Sequence, residues 1–404
     1  MEALKNIFVL VVLLLLVKKR LHLGHAFLLA SCLFGIIHQI SISEMAQIAC
    51  SSFLAPSTLI VLGSLFLINI LEKIISTTGV QSRLVNSIKS FTGDPRAAMV
   101  ILPGLVGLLP SPGGARFSAP MVKEAARDLQ ILPEQSAVIN YYFRHIWEFF
   151  LPLYPANLIA AQIIGIPLSQ FLLMMLPFMP ATVLIGLLLF RHVLIKPNHD
   201  AKIEQKESSK EAWLHLGEGL LPVIAIIVMV IVFKLNILFS LIITISAMLL
   251  YYRIPRAKAL VMLKESLAPG LFYMTFASIY LSDVLQQSGS IKEMLAAVLQ
   301  GGLDPLFITI IFPLLIGLFT GITLPGITIA IPIILTLAPH DAVLTYSCLA
   351  FMSNFIGVIL SPTHLCLLMS VEYFSANFTK TYRYLFLPET TLMVFSILYA
   401  YLLF

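Results

Sequence analysis

Charge is scarce in this chain: Asp, Glu, Lys and Arg make up 11% of 404 residues, against 59% hydrophobic residues. A soluble domain carries roughly 25% charged residues. So little charge cannot cover a soluble surface of this size, whereas a surface that faces lipid needs no such cover. The mean hydropathy is +0.97, and the chain holds many of the apolar runs of about 20 residues that cross a bilayer core. A continuous basic face is also missing. The net charge of +5 is spread over short loops between apolar runs, which excludes a nucleic-acid partner. The four cysteines, Cys32, Cys50, Cys348 and Cys366, form no CxxC pair and lie in or beside apolar segments. They read as small buried hydrophobes. No HExxH metal motif, no GxSG-like serine and no pair of intramembrane aspartates is present. An enzyme and a bound cofactor are therefore not expected. His145 and Glu148 stand three apart, as in carboxylate-bridged metal sites, but make only one incomplete pair.

What is present is a succession of spans. They run from about Leu4 to Val17, Leu23 to Ile40 and Ser57 to Ile75. The first contains the run Ile7–Val17, which lacks an A-x-A site and is followed by Lys18-Lys19-Arg20, so a retained span is expected. A short amphipathic stretch follows, with Val80, Leu84, Ile88 and Phe91 on one helical face. Ala97 to Lys123 is apolar but carries Pro103, Pro110, Pro112, Gly113, Gly114 and Pro120. Each interior proline removes a hydrogen bond and clashes with the preceding turn, so the segment reads as a re-entrant hairpin. Glu134 to Ile164 is a long span broken near Pro152 and Pro155, and Leu168 to Ile195 closes the first half.

Residues 196–216 are polar and form the linker. The second half then repeats the order: Leu220–Phe233, Ile237–Tyr252, Ala268–Gln287, an amphipathic piece (Ile291 to Gln300), a hairpin (Leu306 to Leu337), a broken span (Ala342 to Val371) and a last span (Tyr384 to Phe404). Five full crossings and one hairpin per half would invert the second half relative to the first. Loop charges agree. Loop lysines and arginines such as Arg20, Lys89, Arg127, Lys206, Lys258 and Lys380 fall on one side, and only Lys5, Lys234 and Lys292 on the other. The positive-inside rule then places the linker in the cytoplasm and both termini outside a multi-pass cytoplasmic (inner) membrane.

The halves also match at one spacing. Gly79 and Gly289, Asp94-Pro95 and Asp304-Pro305, Pro103 and Pro313, and Gly107 and Gly317 all stand 210 apart. After a three-residue insertion, Pro112-Gly113 pairs with Pro325-Gly326. Tyr154-Pro155-Ala156-Asn157 falls opposite Ser361-Pro362-Thr363-His364. The expected fold is thus an all-α polytopic membrane protein of two inverted repeats, 1–195 and 217–404, with about ten full spans, two hairpins and two broken helices. Inverted repeats with interrupted helices in matching positions point to a transporter site. Non-helical backbone at membrane depth survives only inside protein or against a wet cavity. Half-helix N-termini attract anions there, while loose carbonyls and hydroxyls hold a cation.

The run Leu109-Pro-Ser-Pro-Gly-Gly-Ala-Arg-Phe-Ser-Ala-Pro-Met121 resembles the signature of a prokaryotic membrane family, domain-of-unknown-function family 401. That family is grouped with the ion transporter superfamily, which includes gluconate, citrate, dicarboxylate and arsenite carriers. The likeness covers essentially the whole chain in span order, with the second hairpin, Thr320-Gly-Ile-Thr-Leu-Pro-Gly326, less specific. The resemblance implies a scaffold from the first spans of each half (1–78 and 217–288). It also implies a moving transport domain from the rest (95–195 and 305–404), an elevator mechanism and a homodimer in membrane lipid. Dicarboxylate carriers of the superfamily have Ser-Asn-Thr at each hairpin tip, binding sodium and substrate carboxylate. Here the tips read Ser111-Pro-Gly-Gly114 and Thr320-Gly-Ile-Thr323, without asparagine.

The expected function is secondary transport of a small anionic solute, organic or inorganic, coupled to Na+ or H+; a channel is the main alternative. Arg116, just past the first tip, is a charge at membrane depth and by default functional. It would pair with the anion, or structurally with Glu148. The expected substrate-binding set is Ser111, Gly113, Gly114, Arg116, Ser118, Tyr154, Asn157, Thr320, Thr323, Gly326, Thr363 and His364. Glu148, Asn354 and Ser361 are the expected coupling-ion residues. Arg144 and Glu148, four apart, would also pair on one helical face, and His145 reads as structural.

Overall fold

A computed structural model describes the chain except residues 1–4, 6–7, 10, 14, 17–20, 81–82, 85–86, 88–93, 109–113, 128, 195–208, 288–301 and 404. Among the described residues there are helices and no strand. In chain order they are α1 (Leu23–Ile37), α2 (Ile42–Leu54), α3 (Pro56–Thr77), α4 (Pro95–Val106), α5 (Ala115–Ala125), α6 (Pro133–Arg144), α7 (Pro155–Ile164), α8 (Leu168–Met175), α9 (Phe178–Leu189) and the single turn α10 (Arg191–Leu194). Then come α11 (Ser209–Ile231), α12 (Ile237–Tyr251), α13 (Arg256–Glu265), α14 (Pro269–Gln287), α15 (Pro305–Thr320), α16 (Thr323–Leu337), α17 (Val343–Ile359), α18 (Leu365–Phe374) and α19 (Phe378–Leu403).

Among the described residues four segments are long and apolar enough to cross a membrane: Pro56–Thr77, Leu168–Leu189, Lys210–Ile231 and Phe378–Leu403. Several shorter apolar helices join them. The exterior carries Leu250, Leu402, Phe233 and Phe239 well exposed, while Asn140, Arg144, His145, Asn157, Asn354 and Ser361 are buried. A soluble protein has the opposite profile. This is a helical membrane protein.

Prolines and caps set the helix starts. Asp94 and Asp304 each accept a bond from the backbone two residues on, at 2.9 and 2.7 Å, and a proline follows at the first helical position. That proline has no N–H to leave unpaired. Four equivalent starts share one spacing: Pro95 and Pro305, Pro133 and Val343, Pro155 and Leu365, and Leu168 and Phe378 are each 210 apart. The three-residue insertion of the second hairpin is therefore cancelled before the broken span. This corrects the sequence register at the breaks, where Tyr154 stands opposite His364 rather than Ser361.

The sequence reading passed over α2 and α13. Helix α2 starts on a capping box, with Ser41 and Glu44 bonding each other's backbone N–H at 3.2 and 2.9 Å. Helix α11 begins at Ser209, inside the stretch read as linker. There Glu218 accepts from Arg83 Nε and Nη2 at 3.0 and 2.9 Å and from Tyr251 at 2.9 Å. The first span is described only in part, and Ile88, Phe91 and the piece Ile291–Gln300 lie outside the described residues.

Packing falls into two sets. Helix α1 packs on α14, and α12 on α3. Elsewhere α16 packs on α7, and α5 on α18; α4 lies on α6 as α15 lies on α17. The main contacts between the sets are α14 on α16, α3 on α7 and α8 on α11. Hydroxyls mark the seam. Thr328 donates to Ser278 at 3.2 Å, and Gln162 donates to Thr58 at 3.3 Å.

Candidate functional site

Helix α6 stops at Arg144 and the chain resumes helix only at Pro155, leaving residues 145–154 as turns that are buried except at the half-buried Trp147 and Glu148. Twelve residues of α6 and ten of α7 rise roughly 18 and 15 Å at 1.5 Å per residue. The two halves together match a hydrocarbon core of about 30 Å, so the break falls near mid-depth. The second break is shorter: α17 ends at Ile359 and α18 starts at Leu365.

The breaks and hairpins touch through glycine. A Cβ on Gly107 would stand 2.0 Å from the carbonyl oxygen of Arg144, and one on Gly317 would stand 2.2 Å from that of Asn354. Both pairs are 210 apart, so the same backbone contact occurs twice. Gly326 sits closer still, with a Cβ position 1.6 Å from Asn354 Oδ1. Gly321, at φ +66°, turns the second tip against Thr363 and Ser361.

Freed carbonyls are met by side chains. In the first break Asn157 donates to the carbonyls of Glu148 and Leu151 at 3.0 and 2.7 Å. Trp147 and Tyr154 reach across to the carbonyls of Gly104 and Gly107 at the end of α4, at 2.7 and 2.6 Å. In the second break the carbonyls of Ile359 and Leu360 accept from Tyr141 and Tyr382 at 3.0 and 2.7 Å. Asn354 donates to the Thr323 carbonyl at 3.0 Å. The Oδ1 atoms of Asn157 and Asn354 are buried and unpartnered among the described residues.

The expected site residues divide accordingly. Tyr154, Asn157, Thr320, Thr323, Gly326, Asn354, Ser361, Thr363 and His364 lie at the breaks and the second tip. Ser361 and Thr363 hydroxyls are 2.9 Å apart, and Thr320 bonds back to the Ile316 carbonyl at 2.8 Å. Gly114 caps α5, and buried Ser118 bonds back to Ala115 at 3.3 Å. Ser111 and Gly113 lie outside the described residues. Arg116 stands in the first turn of α5, with only its backbone described. The expected helical pairing of Arg144 with Glu148 does not apply, because the helix ends between them. Arg144 Nη1 instead donates to Cys366 Sγ at 3.6 Å, while Glu148 Oε1 lies 3.6 Å from His145 Nε2. The cysteines also depart from expectation: Cys32 and Cys50 are exposed, and Cys366 belongs to this polar cluster.

His145 sits against a second imidazole. Its Nε2 lies 3.2 Å from Nε2 of His364, and Tyr141 packs on both rings at 4.6 and 5.4 Å. The signal for it was the three-residue spacing to Glu148. Glu389, a lone acid in the apolar α19, is 1% exposed with Oε2 unpartnered among the described residues. Its isolation in an apolar span was the available clue.

No curated protein matches the chain. A family profile described as "Protein of unknown function (DUF401)" matches residues 1–403, and the chain belongs to that family.

Proposed function

We propose that this protein is a secondary active transporter of a small anionic solute, driven by Na+ or H+ and working as an elevator. The observation that carries the reading is the meeting of two interrupted helices and the second hairpin tip at one buried polar centre in an apolar exterior. The exchange of contacts between halves supports a duplicated, inverted architecture: α1 on α14 mirrors α12 on α3, and α16 on α7 mirrors α5 on α18. The separation into two packed sets, with hydroxyls along the seam, supports a scaffold and a moving domain. Leu109–Met121 resembles the signature of family 401, and the grouping of that family with the ion transporter superfamily points the same way. In this reading Arg116 and the N-terminus of α5 receive the anion. The unpartnered Oδ1 atoms of Asn157 and Asn354 and the hydroxyls of Ser361 and Thr363 face the coupling cation.

Binding is tested by thermal shift of the detergent-purified protein against organic acids and inorganic anions, with and without sodium. A ligand that binds only the folded state raises the apparent melting temperature by mass action. Arg116→Ala is expected to lower affinity for the stabilising anion about 10- to 150-fold, the effect of losing a charge-assisted bond of roughly 1.5–3 kcal/mol. A folded Arg116→Ala protein with unchanged anion affinity would remove Arg116 from the site.

A further inference from the structure

We propose that His145, His364 and Cys366, with Glu148 beside them, form a site for a late first-row transition-metal ion, with Zn2+ as the reference ion. This goes beyond transport and does not rest on it. The case begins with tautomers. His145 Nδ1 lies 2.6 Å from the Tyr141 carbonyl, and His364 Nδ1 lies 2.8 Å from the Gly321 carbonyl. A carbonyl only accepts, so each Nδ1 carries its ring's proton. In the neutral rings both Nε2 atoms then present lone pairs, and these sit 3.2 Å apart. Two facing lone pairs repel unless a cation lies against them.

The spacing suits a metal. Two imidazole nitrogens at 2.0–2.1 Å from a tetrahedral zinc are separated by about 3.3 Å. Anchoring of the far ring nitrogen by a backbone carbonyl is the usual support of a metal-binding histidine. The ligand set is completed by the other two side chains. One ring nitrogen of each histidine and Sγ of Cys366 lie within 4.8 Å of one another, and Glu148 Oε1 is 3.6 Å from His145 Nε2. Arg144, donating to Sγ, favours the thiolate that a metal needs. Thiolate and carboxylate together carry two negative charges, which match a divalent ion. A mix of imidazole and thiolate selects zinc and its neighbours over Mg2+ or Ca2+.

The site draws on three separate pieces: the first break gives His145 and Glu148, the second gives His364 and Cys366, and the second hairpin tip holds His364 through Gly321. A bound ion would tie the two halves together at mid-depth.

The test uses the full chain, purified in detergent, stripped with a chelator and titrated with Co2+. The expected result is one equivalent bound, with tetrahedral visible absorption and a near-ultraviolet thiolate-to-cobalt band, both bleached by Zn2+. Cys366→Ser should abolish the near-ultraviolet band, and His364→Gln should weaken binding at least about tenfold. If the histidine variant does not fold, the nearly isosteric Cys366→Ser decides, because only a thiolate gives that band. Failure of the wild-type protein to take up Co2+ or Zn2+ near one equivalent overturns the proposal and leaves a shared proton between the rings. A cobalt spectrum unchanged in Cys366→Ser overturns it too. Either result stands apart from the anion-binding assay, which reports on transport alone.

Discussion

The two broken helices solve one problem by different means. Each must satisfy carbonyls that its interruption frees at a depth where lipid offers no partner. The first break, residues 145–154, is repaired from within: Asn157, on the helix that follows, bonds two of its carbonyls. The second break, residues 360–364, is repaired from outside, by Tyr141 of α6 and Tyr382 of α19. The longer break has its own carbonyls met from its own segment and carries the charged Glu148, with Arg144 at the end of α6 just before it. The shorter one depends on its neighbours and offers hydroxyls and an imidazole to the hairpin tip. The two breaks thus differ in chemistry while the glycine contacts beside them, Gly107 on Arg144 and Gly317 on Asn354, are alike.

The sharpest test of the shared backbone is the glycine contact. Gly107→Ala and Gly317→Ala would each drive a methyl group into a carbonyl that cannot rotate away. Both are expected to cost about 3 kcal/mol or more, at the upper end for overpacking, and to fail by similar amounts in thermal unfolding. A large difference between them would break the equivalence.

The divergence is tested next. Asn157→Ala strands the Glu148 carbonyl and removes one of the two bonds to the Leu151 carbonyl, which keeps the Tyr154 N–H, about 2 kcal/mol in all, whereas Tyr382→Phe removes the bond to the Leu360 carbonyl, about 1 kcal/mol. The expected order of melting temperatures in detergent is therefore wild type, then Tyr382→Phe, then Asn157→Ala. Equal losses would mean that the first break is not held by Asn157. The smallest effect on stability is expected at the seam. Ser278→Cys with Thr328→Cys should fold normally, because both sites are a hydroxyl contact between the two packed sets. Its disulfide should form in one state and block turnover. A crosslink that leaves transport undiminished would contradict a sliding interface.

Much of the framework was legible from the sequence because prolines, glycines and apolar runs report directly on backbone and lipid. Pro95, Pro133 and Pro155 open helices α4, α6 and α7, and Asp94 and Asp304 cap as their type predicts. Two helices were missed for physical reasons. Helix α2 mixes Ser43, Glu44, Gln47 and Ser51 with its apolar residues, although its Ser41–Glu44 box was readable. Helix α13 is short and basic. At the centre, sequence separation hid the main fact: His145 and His364 are 219 positions apart. No local pattern pairs them, so nothing in the sequence brought His145, His364 and Cys366 together. The match of Tyr154 to Ser361 failed because an insertion in one hairpin was carried forward, when the next segment had already absorbed it.

The transport reading is tested most directly in proteoliposomes. Purified protein is reconstituted, an anion that stabilises it in the thermal screen is supplied outside with radiolabel, and a Na+ or H+ gradient is imposed. The expected result is accumulation above the outside concentration, lost when the gradient is collapsed and reduced in Arg116→Ala. Equilibration without accumulation under every gradient would show a channel, and no protein-dependent uptake of any stabilising anion would contradict a carrier altogether.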